Sequence, residues 1–321
     1  MSLLLSARAV TASPLPLIQA AEARRLGIRL DPSTHARLRK GIYVDRAAYL
    51  ALKPWERYAV RVHAFVLRHP SAVLCLESAA VVHGLPLFGA PRDIHVYDPG
   101  RTASRRFGDV AVHTWDDPRD VDEVDGILVT ALVDTVVDLG RVLQPAPALA
   151  VADSAVSPAQ GGTASLADLR DRSSGQSTKR GRARLRWLWD HVDGAAESPG
   201  ESVSRAVIEG AGFPQPELQR EFRYEDCLDR VDFHFAQTRA IGESDGWQKY
   251  ALDDPDAAVR RLADEKRRED RLRRNGHPFA RWDLSDAWRV DPLARALRAA
   301  GIRSVRPRDV AFLATLTRRT R

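Results

Sequence analysis

The chain has 321 residues, 44% of them apolar and 29% charged, enough for buried cores and more than one average domain needs. Its longest apolar runs, such as ILVTALVDTVV, are broken by Thr and Asp before the roughly 18 residues that a membrane span requires, so no membrane partner is expected. Net charge is +6, from 49 Lys and Arg against 43 Asp and Glu, and five of the basic residues are Lys. That small excess favours polyanion partners only weakly. Arg suits phosphate because its planar fork binds two oxygens at once, although a GC-rich genome also yields an Arg- and Ala-rich chain. The opening MSLLLSARAV has too short an apolar stretch for a secretory signal. Two cysteines, Cys75 and Cys227, make neither a disulfide framework nor a zinc site. A cytoplasmic location is expected.

QAAEARRL (Gln19–Leu26) predicts a helix with an Ala/Leu stripe, closed at Gly27. Asp31 followed by Pro32 predicts the start of a second helix, PSTHARLRK, ending at Gly41. GIYVD follows as a short β segment. The order is helix, turn, helix, wing, so residues 1–53 read as a winged helix-turn-helix that binds DNA. His35, Arg37, Arg39 and Lys40 lie on the second helix, where a recognition helix reaches phosphates and base edges. Two solvated helices are the plainer alternative.

Residues 54–192 read as an α+β domain. Pro54 opens the helix WERYAVRVHAFVLRH, and LCLESAAVVHG forms another that ends at Gly84 and Pro86. DIHVYD and DVAVHTW alternate as strands. LVTALVDTVVDLGR, PALAVADSAV and TASLADLRD read as helices, with RSSGQS as a loop. GRARLRWLWDHV is a basic helix whose Arg180, Arg182, Arg184 and Arg186 form either a nucleic-acid face or a solvated surface. Small and polar, DGAAESPG (Asp193–Gly200) reads as a linker.

The succession GI…LRKGIYV, LESAAVVHGLPL, DIHVYDP and LVTALVDTVVDLGR, over roughly residues 15–155, resembles the AbiEi-type antitoxin family of type IV toxin–antitoxin systems. The resemblance implies an N-terminal winged helix-turn-helix, DNA binding and transcriptional control, with Pro32–Lys40 matching the second helix. No toxin partner is carried over.

Beyond the linker the pattern changes. SVSRAVIEGAG reads as a helix, ELQREFRYEDCLDRVDFHF as two strands around a loop, and RAIGESDGWQKY as a strand running into a turn. AAVRRLADEKRREDRLRRNG is a long charged helix, PFARWDL a last strand and DPLARALRAAG a last helix. In RVDFHF, Val231, Phe233 and Phe235 face one side, Asp232 and His234 the other. If Phe235 pairs with Ala240, Asp232 lies opposite Glu243, with cross-strand partners about 5 Å apart at Cβ. Asp245 projects to the same face. Three carboxylates converging with no cationic partner between them repel one another, and a proton or a cation must resolve this. A hard divalent cation, Mg²⁺ or Mn²⁺, is expected on Asp232, Glu243 and Asp245. Glu201, in the first turn of the preceding helix, and Lys249, four positions after Asp245, complete a candidate catalytic set. A lysine near a bound metal orients water or stabilises charge on phosphate.

Each residue also has a plainer role. Ser198 and Glu201 have capping-box spacing. Glu243 and Asp245 fit an edge-strand charge and a turn aspartate. Lys249 fits a surface lysine and His234 a packed histidine. EKRREDRLRR pairs ions at helical spacing, and its Arg267, Arg268 and Arg271 are within reach of phosphate.

The block from Glu197 to Asp286 resembles the PD-(D/E)XK nucleases, in the branch related to very-short-patch-repair endonucleases. The matching residues are Glu201 in ESPGES, Asp232 in RVDF, and Glu243 and Asp245 in GESDG. The EKRREDRLRRNG helix and the Ala280–Trp282 strand also fit. The resemblance implies a three-layer α/β domain over residues 197–300 and metal-dependent phosphodiester hydrolysis. One departure stands out: two positions after Glu243, where that fold usually has Lys, this chain has Asp245. The expected fold class is therefore multi-domain α/β. Two functions are expected from it: a DNA-binding protein with a metal-dependent nuclease-like domain, or an antitoxin-like transcriptional regulator whose nuclease fold is inactive.

Overall fold

Asp31 closes a turn and does not start a helix. Its carboxylate accepts from the Ser33 amide at 2.7 Å, and its carbonyl accepts from the amides of Thr34 and His35. In the computed structural model, which describes residues 10–245 and 255–317, β1 (Ile18–Gln19) leads into α1 (Ala20–Arg25), and Gly27 follows at φ +68°. The helix expected over Pro32–Lys40 is replaced by β2 (His35–Arg39), which pairs antiparallel with β3 (Ile42–Asp45). The Asp31 bond to the amide two residues on is one an N-cap also makes, but the turn closes once and does not propagate. Lys40 and Gly41, the latter at φ +78°, then make a tight reversal. Ile42 and Val44 are buried in alternation, as a half-buried strand requires. The three strands run in the order β1-β3-β2.

After β3 come α2 (Arg46–Ala51), capped by Asp45, and α3 (Pro54–Arg68). Then follow β4 (Val73–Leu74), α4 (Leu76–Val82), β5 (Ile94–Tyr97), β6 (Arg105–Phe107) and β7 (Val110–His113). The hairpin of β8 (Val121–Val124) and β9 (Ile127–Thr130) precedes α5 (Leu132–Val142). These strands form a six-stranded sheet ordered β6-β7-β5-β4-β9-β8. Tyr58, Val62, Phe65, Leu74, Val81, Ile94 and Val129 belong to its core. The helix expected from Leu128 begins only at Leu132. Asp125 and Gly126, at φ +50° and +78°, supply the two positive-φ positions of a two-residue hairpin turn, so the preceding residues pair as a strand.

Three helices follow: α6 (Pro145–Val156), α7 (Leu166–Gly175) and α8 (Arg182–His191). The chain groups into two units, residues 10–143 with Thr163–Asp190, and Gln144–Gly162 with residues 191–317. The segments expected as residues 1–53 and 54–192 thus fall mostly in the first unit, and α6 goes to the second. It is buried on every side, with Ala146, Leu149, Ala150, Val151 and Ala155 enclosed and the buried Asp153 paired with Arg205 at 2.8 Å. On α8, Arg184 donates to the carbonyls of Arg141 and Val142 at 3.3 and 3.2 Å. It thereby serves the open carbonyls at the end of α5.

The second unit continues with α9 (Pro199–Gly210), β10 (Glu217–Tyr224), β11 (Cys227–Phe235) and β12 (Ala240–Asp245). It ends with α10 (Pro255–Arg274), β13 (Phe279–Asp283), α11 (Leu284–Arg289), α12 (Asp291–Ala299) and α13 (Val310–Thr317). The sheet order is β10-β11-β12-β13. Its first three strands are antiparallel, whereas β12 and β13 are parallel. A parallel pair needs a crossover, which α10 supplies. Trp282 fixes the packing beside α9: its indole N–H donates to Ser204 Oγ at 2.8 Å and its ring stacks on Phe233 with centroids 5.4 Å apart. Among the described residues, no helix is long and apolar enough to cross a membrane.

Candidate functional site

Phe235 pairs with Ala240, His234 with Ile241 and Phe233 with Gly242. This is the register that sets Asp232 opposite Glu243. The Ser244 amide donates to Asp232 Oδ2 at 2.9 Å, which holds the carboxylate against β12. Glu243 and Glu201 are each only 4% exposed. Ser198 caps α9, its Oγ accepting from the Glu201 amide at 3.2 Å, but the reciprocal bond of a capping box is replaced: Ser198 Oγ itself donates to Glu201 Oε1 at 2.8 Å. Glu201 Oε2 accepts from the Glu197 amide and from Gln219 Nε2, both at 2.9 Å. The cap and the candidate site therefore use the same carboxylate.

Burial is the main force on these acids. It pushes both Glu201 and Glu243 up to about 7, and repulsion from Asp232 adds to the shift in each. For Glu201 the hydrogen bonds from Glu197, Ser198 and Gln219 oppose the shift, and for Glu243 the Arg268 guanidinium does. Two glutamates poised near neutrality beside a third carboxylate form an arrangement common at functional sites.

The expectation of carboxylates without a cationic partner is overturned. Arg268 on α10 places a guanidinium nitrogen 3.1 Å from Glu243, and Arg281 on β13 lies 3.6 Å from Asp245. The pairing of β12 with β13 sets Glu243 directly beside Arg281, a parallel contact that local sequence does not signal. Arg281 also pairs with Glu265, and with Glu269 at 3.4 Å. Three other α10 cations follow the expected helical pairing: Arg267 with Asp264 at 2.6 Å, Lys266 with Asp270 at 3.0 Å, Arg273 with Glu269 at 2.7 Å. Arg271 binds Asp229 through two hydrogen bonds of 2.7 and 2.6 Å. His234 is buried against Phe222, ring centroids 5.2 Å apart. Lys249 lies outside the described residues.

Among the described residues, no three His, Cys, Asp or Glu side chains are grouped as a ready-made metal cage. The donor chemistry still fits a hard cation. Glu243 Oε1 is buried and has no hydrogen-bond partner among the described residues. The Glu201, Asp232 and Glu243 carboxylates offer the oxygen donors that Mg²⁺ or Mn²⁺ takes.

In the first unit, the four residues expected to bind DNA lie along a hairpin. Arg37 and Lys40 are exposed. Arg39 is engaged internally: it forms an ion pair with Asp109, and its guanidinium carbon lies 5.6 Å from the centroid of the Phe65 ring. His35 Nδ1 is 2.9 Å from Thr34 Oγ1. A further cluster escaped sequence reasoning. His95 Nδ1 is 2.9 Å from His113 Nε2, and His95 Nε2 is 3.4 Å from Glu77 Oε2. Burial lowers both histidines to about 4. The alternation of DIHVYD and DVAVHTW put each histidine on a strand, but only the parallel pairing of β5 with β7 brings them together.

No protein-family model matches the chain, and no solved structure matches it significantly. Two uncharacterized proteins, from two strains of Mycobacterium tuberculosis, are each 32% identical to it over 181 residues. The match covers 56% of this chain and 65% of each relative, so the chain spans just under two-thirds of the curated relatives it matches.

Proposed function

We propose that the chain is a DNA-binding protein whose second unit hydrolyses phosphodiester bonds with the help of a divalent metal. One observation carries this reading: Asp232 is held opposite Glu243, with Glu201 buried beside them, in an arrangement that costs stability unless a cation or a reaction uses it. The resemblance of the same residues to the PD-(D/E)XK nucleases agrees with it. Asp232 and Glu243, with Glu201, would hold Mg²⁺ or Mn²⁺. Bound there, the metal supplies Lewis-acid charge and an acidified water. A metal there would hold Glu243 ionised as a ligand, and the hydrogen bonds from Ser198 and Gln219 would keep Glu201 oriented. In the first unit, Arg37 and Lys40 on the β2–β3 hairpin would grip phosphates, as a wing or β-ribbon does. Incubation of the full chain with plasmid and linear duplex DNA in Mg²⁺ and Mn²⁺ tests the reading, with Asp232→Asn as control. Cleavage by the wild type and none by the variant supports it. Equal behaviour of the two rejects it.

A second reading has its own support. Arg281 stands beside Asp245, at the position where the fold usually carries Lys. A site whose acids already have arginine partners suits an antitoxin-like transcriptional regulator that keeps the nuclease fold without its chemistry. Operator binding without cleavage in any metal would favour it.

A further inference from the structure

Arg268 and Arg271 lie one turn apart on α10 and use their guanidinium groups differently. Arg271 spends its fork on one carboxylate, with Nε and Nη2 both on Asp229, the geometry of a structural ion pair. Arg268 divides its fork. Nη2 lies 3.1 Å from Glu243 Oε2, and Nη1 donates to the Arg230 carbonyl at 2.7 Å. The side chain remains 24% exposed. Glu243 Oε1 in turn has no hydrogen-bond partner among the described residues. A guanidinium carries five N–H donors, so the pair keeps hydrogen-bonding capacity on both sides. Burial works against the Arg268 charge, but Glu243, Asp232 and Glu265 more than offset it and hold the guanidinium above its ordinary range.

We infer that Arg268 supplies the working cation of the Glu201–Asp232–Glu243 site, and that its free edge binds a non-bridging phosphate oxygen of the nucleic acid. The inference rests on the nuclease reading of that site. It fills the place left by Asp245, which stands where the fold's lysine is expected and is itself paired with Arg281. A guanidinium does not deprotonate in a protein, so Arg268 moves no proton. It neutralises charge that builds on the phosphate.

The test uses the full chain as wild type, Arg268→Ala, Arg268→Lys and Glu243→Gln, with a labelled duplex. Cleavage is followed in Mg²⁺ and Mn²⁺, and binding is followed in Ca²⁺ over a range of salt. Arg268→Ala should lose about 100-fold in cleavage rate. Its affinity for the duplex should fall roughly tenfold and its salt slope should shrink by about one, the signature of one lost phosphate contact. Arg268→Lys should recover much of both. Arg268→Ala that cleaves and binds like the wild type, while Glu243→Gln does not cleave, overturns the inference and leaves the nuclease reading standing. A wild type that neither cleaves nor binds in any metal rejects that reading, and the inference falls with it. If Arg268→Ala has no thermal transition, Arg268→Gln, which retains a donor for the Arg230 carbonyl, takes its place with the same expected losses.

Discussion

The Ser244 amide donates a 2.9 Å hydrogen bond to Asp232 Oδ2, so β12 holds the β11 carboxylate beside the buried acid that β12 itself carries. The folded chain cannot turn Asp232 away from Glu243 without breaking that bond, and this makes the repulsion among the acids a fixed cost.

Asp232→Asn should therefore stabilise the protein. Glu201 and Glu243 sit at about 7 in the folded chain, raised from 4.5. A raised acid binds more protons folded than unfolded, so its stabilising effect is full below about 4.5 and is lost as pH rises through 7. Asparagine keeps an oxygen for the Ser244 amide and removes the charge that adds to both shifts. Melting temperature should rise by about 2–4 °C at pH 8, or roughly 1 kcal/mol, with little change at pH 4. Scanning calorimetry at both pH values checks this, and an equal shift at both would count against the electrostatic explanation.

The first unit should show the opposite pH trend. His95 and His113 are lowered to about 4 from 6.5, chiefly by burial. Asp93 pulls His95 back up, while Arg106 depresses it further. Folded histidines that resist protonation bind fewer protons than unfolded ones, so stability is full above about 6.5 and falls as pH drops toward 4. His95→Gln should flatten that acid limb, as read by chemical denaturation at pH 7 and pH 5. A limb as steep as the wild type's would show that other groups cause it.

Much of the second unit was legible in the sequence because its signals are local. Alternation in RVDFHF and the short stretch between Phe235 and Ala240 fixed the β11–β12 register and hence the Asp232–Glu243 pair, and Ser198 and Glu201 had the spacing of a capping box. The arginine partners were not legible, because Arg268 and Arg281 reach the acids through the α10 crossover and the parallel β12–β13 pairing, both distant in sequence. In the first unit the misread elements were decided by turns. Asp31-Pro32 is compatible with a helix start and with an aspartate turn, and the Lys40-Gly41 reversal decides for the strand. Asp125-Gly126 carried the hairpin signal outright, but the apolar run after it had the length and composition of a helix.

Gly242→Ala should be among the more damaging small substitutions. A Cβ there would lie 2.5 Å from the Trp282 ring and 3.2 Å from Phe233 Cβ. The ring cannot yield easily, because it is 2% exposed, hydrogen-bonded to Ser204 and stacked on Phe233. Overpacking of this kind costs about 1–3 kcal/mol. Urea denaturation should show a loss in that range together with a weaker near-ultraviolet tryptophan signal. A midpoint within error of the wild type would mean that the strand shifts to make room.

The β2–β3 hairpin offers a test of DNA binding that separates contact from stability. Arg37 and Lys40 are exposed on it, whereas Arg39 is tied to Asp109 and packed on Phe65. If the hairpin grips phosphates, the double variant Arg37→Ala/Lys40→Ala should bind duplex DNA more weakly whatever its sequence. Its salt slope should fall by about two, because each phosphate contact releases close to one counterion. Its melting temperature should barely move, since neither side chain is buried. Arg39→Ala should do the reverse: it leaves Asp109 with Arg61 as its remaining partner at 3.0 Å and strips a cation from Phe65. That should cost about 1 kcal/mol of stability and leave the salt slope within error. Fluorescence anisotropy over a salt series, paired with thermal melts, reads both quantities on the same three proteins. A double variant whose slope matches the wild type's would remove the hairpin from the DNA interface.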